Sequence, residues 1–256
     1  MTSRFTIWPL RFSPNPAAMI EFFTVLGLHN ATSHAELTYA TFDGHSGKLG
    51  VHGAAGAASC AAPSHTTLNF TTADVTAAAH ELAAKGLEVH IWDETYGKQG
   101  VIITPHGTVI GLNEDTQVDL YGGYRVHKQT AAASLDVVAI CQTDNVTREA
   151  AYFASIGFTG SSPSDDSPLT QLHADGNSGV LALRQGGVAP VIPPAEDQFG
   201  PPYVVQLTFK TSEPFDALAE RLRCSGYEAA ISEDQAGPQV SVTDPDGEEI
   251  QIRPAA

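Results

Sequence analysis

Apolar residues recur along this chain with two periods, and the alternation between the periods divides it into four similar segments. Helical spacing, with apolar positions three and four apart, marks four stretches that each end on glycine. In "NPAAMIEFFTVLG", Met19, Phe22, Phe23 and Leu26 share one face, Asn15 is placed as N-cap, and Pro16 takes the first helical position. "TADVTAAAHELAAKG" aligns Val75, Ala79 and Leu82. "DNVTREAAYFASIG" aligns Val146, Ala150 and Phe153 behind Asp144 as cap, and "SEPFDALAERLRCSG" aligns Phe215, Leu218 and Leu222 behind Ser212 and Pro214. The closing glycines, Gly27, Gly86, Gly157 and Gly226, suit the left-handed backbone that stops a helix.

Before each helix stands a β-like run: "FTIWPLRF", "TTLNFT", "LDVVAIC" and "VVQLTF". After each come further short runs, such as "AELTYATF" with "KLGVHG", or "QVSVTD" with "EEIQIRP". Two tight turns, "TPHG" and "DPDG", lead into the last strands of the second and fourth segments. Gly86 and Gly226 are 140 residues apart, and so are Gly107 and Gly247. The second and fourth segments therefore superpose without a gap from helix end to final turn. The predicted organisation is a first module over residues 1–120, a linker over 121–134 and a second module over 135–256. The linker lies in a polar stretch, 113–134. The Ala/Gly-rich "GAAGAASCAAPS" and the Pro/Gly-rich "GGVAPVIPPAEDQFGPP" read as connectors inside the modules.

Composition narrows the functional classes. The net charge is −16, from 29 acidic and 13 basic residues, which argues against nucleic acid and anionic membranes as partners. No apolar run approaches the roughly 18 residues of a membrane span. Arg11 and three prolines interrupt the first residues, so no signal peptide is indicated and a cytoplasmic location is expected. Cys60, Cys141 and Cys224 are odd in number and widely spaced, which indicates neither a disulfide framework nor a structural zinc site. There is no GxSxG elbow, P-loop, GxGxxG or HExxH.

Paired βαβββ units, the helix-ending "VLGL" and "SIGF", and the closing "TPHGTVIGL" and "DPDGEEIQI" together resemble the vicinal oxygen chelate superfamily. That superfamily includes glyoxalase I, the bleomycin resistance proteins and the extradiol dioxygenases. The resemblance runs from about Phe5 to Pro254. It implies an α+β fold of four βαβββ units, forming two glyoxalase/bleomycin-resistance-like modules with incurved mixed sheets and outer helices.

Metal-using members draw ligands from four strand positions in a module, usually His on the opening strands and Glu near the ends of the last ones. Carried over, these fall in the first module at Ile7 or Trp8, at Gly50 with His52 nearby, at His65, and at Gly111. In the second they fall at about Val137, Ala182, Val204 or Val205, and Gln251. Catalytic zinc needs about three protein ligands, and divalent iron or manganese a similar N/O set. Neither module supplies one, so no metal or other cofactor is expected. The alternatives for His65 and His52 are a polar residue opening a strand and a half-exposed strand residue.

One hairpin separates the modules: "WDETYG" (92–97) against "SEDQAG" (232–237). Trp92 and Tyr96, with Asp93 and Glu94 beside them, suit a flat or cationic ligand. The alternative is packing of the hairpin against Tyr121 and Tyr124. Strand alternation turns Trp8 toward the cup if Ile7 faces the helices. The expected ligand site is thus Trp8, His52, His65, Trp92, Asp93 and Tyr96. The expected function is metal-free binding of a small aromatic or cationic molecule, with sequestration in the manner of bleomycin resistance proteins. The alternative function is a glyoxalase-like lyase or isomerase, or a dioxygenase, using a metal on His52 and His65. A scaffold whose cups have lost their ligands is a third. Monomer and homodimer both remain open.

Overall fold

The computed structural model describes residues 5–55, 63–94, 97–115, 123–129, 132–161, 169–174, 176–186 and 199–255. The first module comprises β1 (Thr6–Ile7), β2 (Leu10–Ser13), α1 (Pro16–Leu26), β3 (His29–His34), β4 (Tyr39–Asp43) and β5 (Lys48–Gly53), then β6 (Thr66–Thr67), β7 (Asn69–Thr72), α2 (Val75–Ala84), β8 (Glu88–Glu94), β9 (Gly97–Ile103) and β10 (Val109–Glu114). β11 (Tyr124–Val126) follows, inside the stretch expected as linker, and pairs with β3 at the sheet edge. The second module comprises β12 (Leu135–Thr143), α3 (Val146–Ser155), β13 (Thr159–Ser161), β14 (Leu169–His173) and β15 (Val180–Gln185), then β16 (Gln206–Thr211), α4 (Phe215–Cys224), β17 (Ala229–Asp234), β18 (Gly237–Thr243) and β19 (Glu249–Pro254).

All four helices form where the apolar spacing predicts them, and all four stop glycines have positive φ, from 82° to 119°. Asn15 is the N-cap of α1 with Pro16 following, but its side chain makes no capping bond. The cap of α3 is Asn145, not Asp144: its side chain accepts the Arg148 N–H at 2.9 Å. Pro214 caps α4 without a side-chain bond, because proline supplies the preset backbone turn but no oxygen acceptor on its ring.

The second module is one mixed sheet in the order β13-β14-β15-β12-β16-β19-β18-β17. The first has the same succession, split by Pro9. Thr6 pairs with Thr71 and Ile7 with Phe70 on one side of the break, Leu10 with Thr67 and Arg11 with Thr66 on the other. The register is continuous, and Trp8 N–H still reaches Asn69 O at 2.7 Å. Proline has no N–H to give the ladder, so the strand is interrupted there without slipping. The helices pack on one face of each sheet, leaving the opposite face open.

The helix-bearing faces of the two modules share a single hydrophobic core. Phe23 on α1 meets Phe42 of its own sheet and Phe209 of the other, at ring-centre distances of 5.9 and 6.2 Å. Phe70 stacks on Phe158 at 5.1 Å. Backbones touch as well: Ile7 N–H donates to Ser178 O at 2.8 Å and Gly47 N–H to Asn177 O at 2.9 Å. A Cβ on Gly179, whose φ is +77°, would lie 2.9 Å from the Gly47 Cα, so glycine is required at this crossing.

The two quoted turns share one geometry. Thr104 N–H donates to Thr108 O and Asp244 N–H to Glu248 O, both at 2.8 Å. Each turn reaches the other module. His106 Nε2 lies 3.1 Å from Glu149 on α3. Asp244 and Asp246 both pair with the buried Arg11 of β2, and Ser13 Oγ donates to Asp246 at 2.8 Å.

A segment of the second module also enters the first sheet. The parallel strands β7 and β10 diverge at their N-terminal ends, and residues 201–205 fill the gap. Val109 N–H donates to Pro201 O (2.8 Å), Leu68 N–H to Tyr203 O (2.6 Å), and Val205 N–H to Thr66 O (2.9 Å).

Beside this segment lies a buried polar cluster. The carboxylate of Glu149 accepts from Arg148 Nη2 at 3.1 Å and from the Tyr203 hydroxyl at 3.4 Å. Burial, helped by the negative charge of Glu149, pushes the Cys141 thiol and the Tyr152 phenol far up. Burial does the same to Tyr203, with Cys141 and Glu149 adding to it. An acid whose folded pKa is raised keeps its proton in the native state while the unfolded chain loses it. Stability is therefore fully present below the unfolded pKa values, about 8.5 for Cys and 10 for Tyr, and is lost as pH rises through them. The thermal midpoint is expected to fall steeply between about pH 9 and pH 11, with phenolate absorbance from these tyrosines appearing only on unfolding. Tyr152→Phe, which removes a hydroxyl without a hydrogen-bond partner among the described residues, should flatten the fall. Phenolate absorbance from Tyr152 in a still-folded protein would contradict the assignment.

Candidate functional site

On the open face of the first module, strand pairing lines up side chains across four strands. Trp92 stands opposite Gln99, Val101 is flanked by His90 and Gly111, and Gly111 adjoins Asn69. Over these rows lies a cleft of about 370 Å³. Leu10, Val101 and Val109 give it apolar walls, Trp92 and Glu94 one polar-aromatic side, and Phe199 and Pro202 a cover from the second module. Phe199 lies nearly parallel to His90, with ring centres 4.2 Å apart and 19° between planes, and to Trp92 at 6.1 Å and 20°. Trp92 Nε1 donates to Glu94 Oε1 at 2.8 Å. The carboxylate is thus fixed at the edge of the aromatic wall, where charge can add to π-face attraction for a cation.

The expected site residues do not converge on this cleft. Trp92 lines it. Trp8 faces the same open side but fills the sheet's centre: a Cβ on Gly50 would lie 2.9 Å from its ring, and four strand spacings separate it from His90. His52 lies in another cleft, about 440 Å³, with Tyr39 and Tyr124. Its Nδ1–H donates to Gly53 O at 2.7 Å. His65 lines a third cleft, about 300 Å³, between the modules, where its Nδ1 is buried without a hydrogen-bond partner among the described residues. Asp93 points away from Trp92, because successive strand residues face opposite sides. Its side chain is 84% exposed and pairs with Lys98 at 2.6 Å. Tyr96 lies outside the described residues, as does Cys60.

Of the described residues that line the cleft, only Trp92 belongs to the expected set; Glu94 and Phe199 are the missing ones that complete its charged and aromatic wall. Glu94 stands two positions after Trp92, so strand alternation places it on the same face. Phe199 sits in a Pro/Gly-rich connector, where no local pattern points to the other module.

No family model matches the chain, and no curated protein sequence matches it. Solved structures do. The chain is similar to homoprotocatechuate 2,3-dioxygenase from Arthrobacter globiformis, with a TM-score of 0.56 and 15% identity over 100% of this chain and 80% of that one. It is similar to the Mn(II)-bound glyoxalase from Novosphingobium aromaticivorans, with a TM-score of 0.59 and 14% identity over 98% and 83%. A catechol 2,3-dioxygenase gives a TM-score of 0.59 at 12% identity over 98% and 87%. The chain has the vicinal oxygen chelate fold.

Within that fold, the strand register corrects the positions that the resemblance assigned to metal ligands. On the opening strand of the first module the position facing the open side is Trp8, since Ile7 is in the core. The position beside Gly111 is Asn69, not His65. His65 comes four residues earlier, and its carbonyl accepts from Phe12 N–H at 2.9 Å. Phe12 pairs with His52 on its other side, so the two histidines flank Phe12 and line separate clefts. In the second module, Val138 and Thr208 face the open side opposite one another; Val137 and Val205 face the core.

The first-module set is therefore Trp8, Gly50, Asn69 and Gly111, and the second Val138, Ala182, Thr208 and Gln251. Neither fits a divalent ion, which needs imidazole, carboxylate or thiolate donors at converging positions. The first set is also sterically closed. A Cβ on Gly111 would lie 1.7 Å from Asn69 Oδ1, and Asn69 Nδ2 donates to Thr67 Oγ1 at 3.0 Å. A carboxylate at 111 would have to displace that asparagine. Among the described residues no three His, Cys, Asp or Glu side chains group to hold a metal. Nor is any of their helices long and apolar enough to cross a membrane.

Proposed function

We infer that this chain is a small-molecule binding protein, and that its site is the cleft under Phe199 on the first module's open face. The ligand class is a flat aromatic compound, cationic in preference. The observation that carries this reading is the pairing of an aromatic wall, Trp92 with Phe199, with the carboxylate of Glu94 at its edge. Such a wall offers about 1 kcal/mol per stacking or cation–π contact. The apolar sides contributed by Leu10, Val101 and Val109 supply the remaining burial that a small ligand needs. Sequestration is the use that follows, since binding requires nothing further of the cleft. The metal-assisted activities of the structural neighbours do not transfer, because Trp8, Gly50, Asn69 and Gly111 stand where ligands would be needed.

Thermal-shift titrations with matched cationic and neutral flat aromatics test the reading. A specific binder raises the midpoint by mass action. Trp92→Ala is expected to weaken binding about fivefold to tenfold, the equivalent of about 1 kcal/mol of lost stacking. Glu94→Gln should weaken the cationic compounds selectively and leave the neutral ones nearly unchanged. If both variants fold and neither alters the cation's shift, the cleft is not the site.

A further inference from the structure

The cleft that holds His52, about 440 Å³, lies at the corner of the first module where β11 is added beside β3 and where β2 turns into α1. His34, Tyr39, His52 and Tyr124 line it, one from each of four neighbouring strands, β3, β4, β5 and β11. Strand register brings them together, with Tyr124 opposite His34 and Tyr39 opposite His52. Their rings follow one another as the walls of a box. Ring centres are 5.4 Å apart from His34 to Tyr124, 5.9 Å from Tyr124 to Tyr39, and 5.9 Å from Tyr39 to His52. The angles between successive planes are 72°, 88° and 77°. All four residues are half-buried, so each keeps ring surface in contact with the cleft. Among the described residues this cleft shares none with the one under Phe199, and Trp8, Gly50, Asn69 and Gly111 do not border it. Phe12 stands between the two: it lines the Phe199 cleft, and its ring centre lies 5.7 Å from that of His52.

Ring orientation decides which shape fits. Trp92 and Phe199, only 20° from parallel, suit a flat molecule; walls at near right angles suit a rounded head. Hydrogen bonding decides its chemistry. His52 Nδ1–H is engaged by Gly53 O at 2.7 Å. His34 Nδ1 accepts the Glu36 N–H at 3.3 Å and lies 3.3 Å from Thr38 Oγ1. A primary ammonium has three N–H donors to satisfy, and these walls present it chiefly with ring faces. A quaternary ammonium has no donor to leave unpaired. Its charge is spread over methyl groups, which tyrosine faces attract and which lose little on leaving water. The net charge of −16 adds a long-range field of the same preference.

We propose that this corner cleft is a second binding site, for a quaternary ammonium head group held on the faces of Tyr39 and Tyr124, with His34 and His52 closing the box. The remainder of the cleft, bordered by Ser13 and Pro14, takes the short tail that the head carries. The site is independent of the cleft under Phe199, and neither reading depends on the other.

The probes are choline, its neutral tert-butyl isostere and the primary amine ethanolamine, titrated by NMR against the intact chain. Choline is expected to bind about tenfold more tightly than either, with its N-methyl protons shifted upfield by the ring faces. Tyr39→Leu and Tyr124→Leu should each weaken choline about fivefold. Tyr39→Phe should retain it, because the ring face and not the hydroxyl makes the contact. Trp92→Ala should leave it unchanged, which separates this test from that of the Phe199 cleft. Phosphatidylcholine vesicles distinguish the source of the head. Co-sedimentation that Tyr39→Leu abolishes assigns it to a lipid, and choline binding without co-sedimentation assigns it to a free solute. Equal binding of choline and its isostere overturns the proposal, as does a loss in Tyr39→Phe equal to that in Tyr39→Leu. The absence of an upfield methyl shift at about 10 mM choline overturns it without any variant.

Discussion

Arg11→Met should destabilise the folded protein by about 3–5 kcal/mol, the cost of leaving a buried carboxylate without its counter-charge. Arg11 is 4% exposed, and the Asp244 and Asp246 side chains that it pairs with are fully covered. Burial raises the Asp244 pKa, and Arg11 is the main influence pulling it back down. Without Arg11 that pKa rises further, so the native state takes up a proton that the unfolded chain lacks. The penalty should therefore shrink as pH falls toward 5 and grow as pH rises through the variant's folded Asp244 pKa. Urea unfolding at pH 5 and pH 8 measures both. Adding Asp244→Asn and Asp246→Asn should recover much of the loss. Asn keeps the side-chain oxygen with which Asp244 accepts the N–H groups of Asp246 and Glu248, both at 2.9 Å. A loss below about 1 kcal/mol, the size of a surface pair, would mean that the contact is solvated and does not join the modules.

Phe23→Ala should cost about 3–5 kcal/mol, and the loss should appear in both modules at once. Phe23 is fully buried and touches rings from its own helix, its own sheet and the second sheet. Truncation leaves a cavity where the two sheets' contributions to the core meet. The chain has 2 tryptophans, Trp8 and Trp92, both in the first module. Fluorescence therefore follows the first module alone, while amide exchange along β12 and β16 follows the second. Coincident transitions, shifted together by the substitution, are the expected result. Two separate transitions, with only the fluorescence midpoint moved, would show that the modules fold as independent units.

Local pattern made the helices legible, since Met19, Phe22, Phe23 and Leu26 recur at helical spacing and a glycine follows each helix. The 140-residue repeat made the two modules legible because each motif it matches, a helix-ending glycine or a Pro-Gly turn, is itself a short local signal. The site was less so. Which residue adjoins Gly111 depends on a pairing between strands some 40 positions apart, and His65 and Asn69 are equally polar starts for that strand. Asp93 was the avoidable error, because alternation from Trp92 already turns it to the other face. Phe199 could not have been found, because its contact depends on how one module's connector enters the other's sheet.

That connector sets an order of events during synthesis. Both strands that border the gap, β7 and β10, have been made once residue 114 has left the ribosome, yet the filler, residues 201–205, is made much later. At roughly 5–20 residues per second, the nascent first half waits on the order of ten seconds with those backbone groups unpaired. A slowly translated message would lengthen this interval, and a chaperone that shields strand edges would act within it. Ligand added during translation should therefore find no finished first-module cleft until the connector has been threaded home.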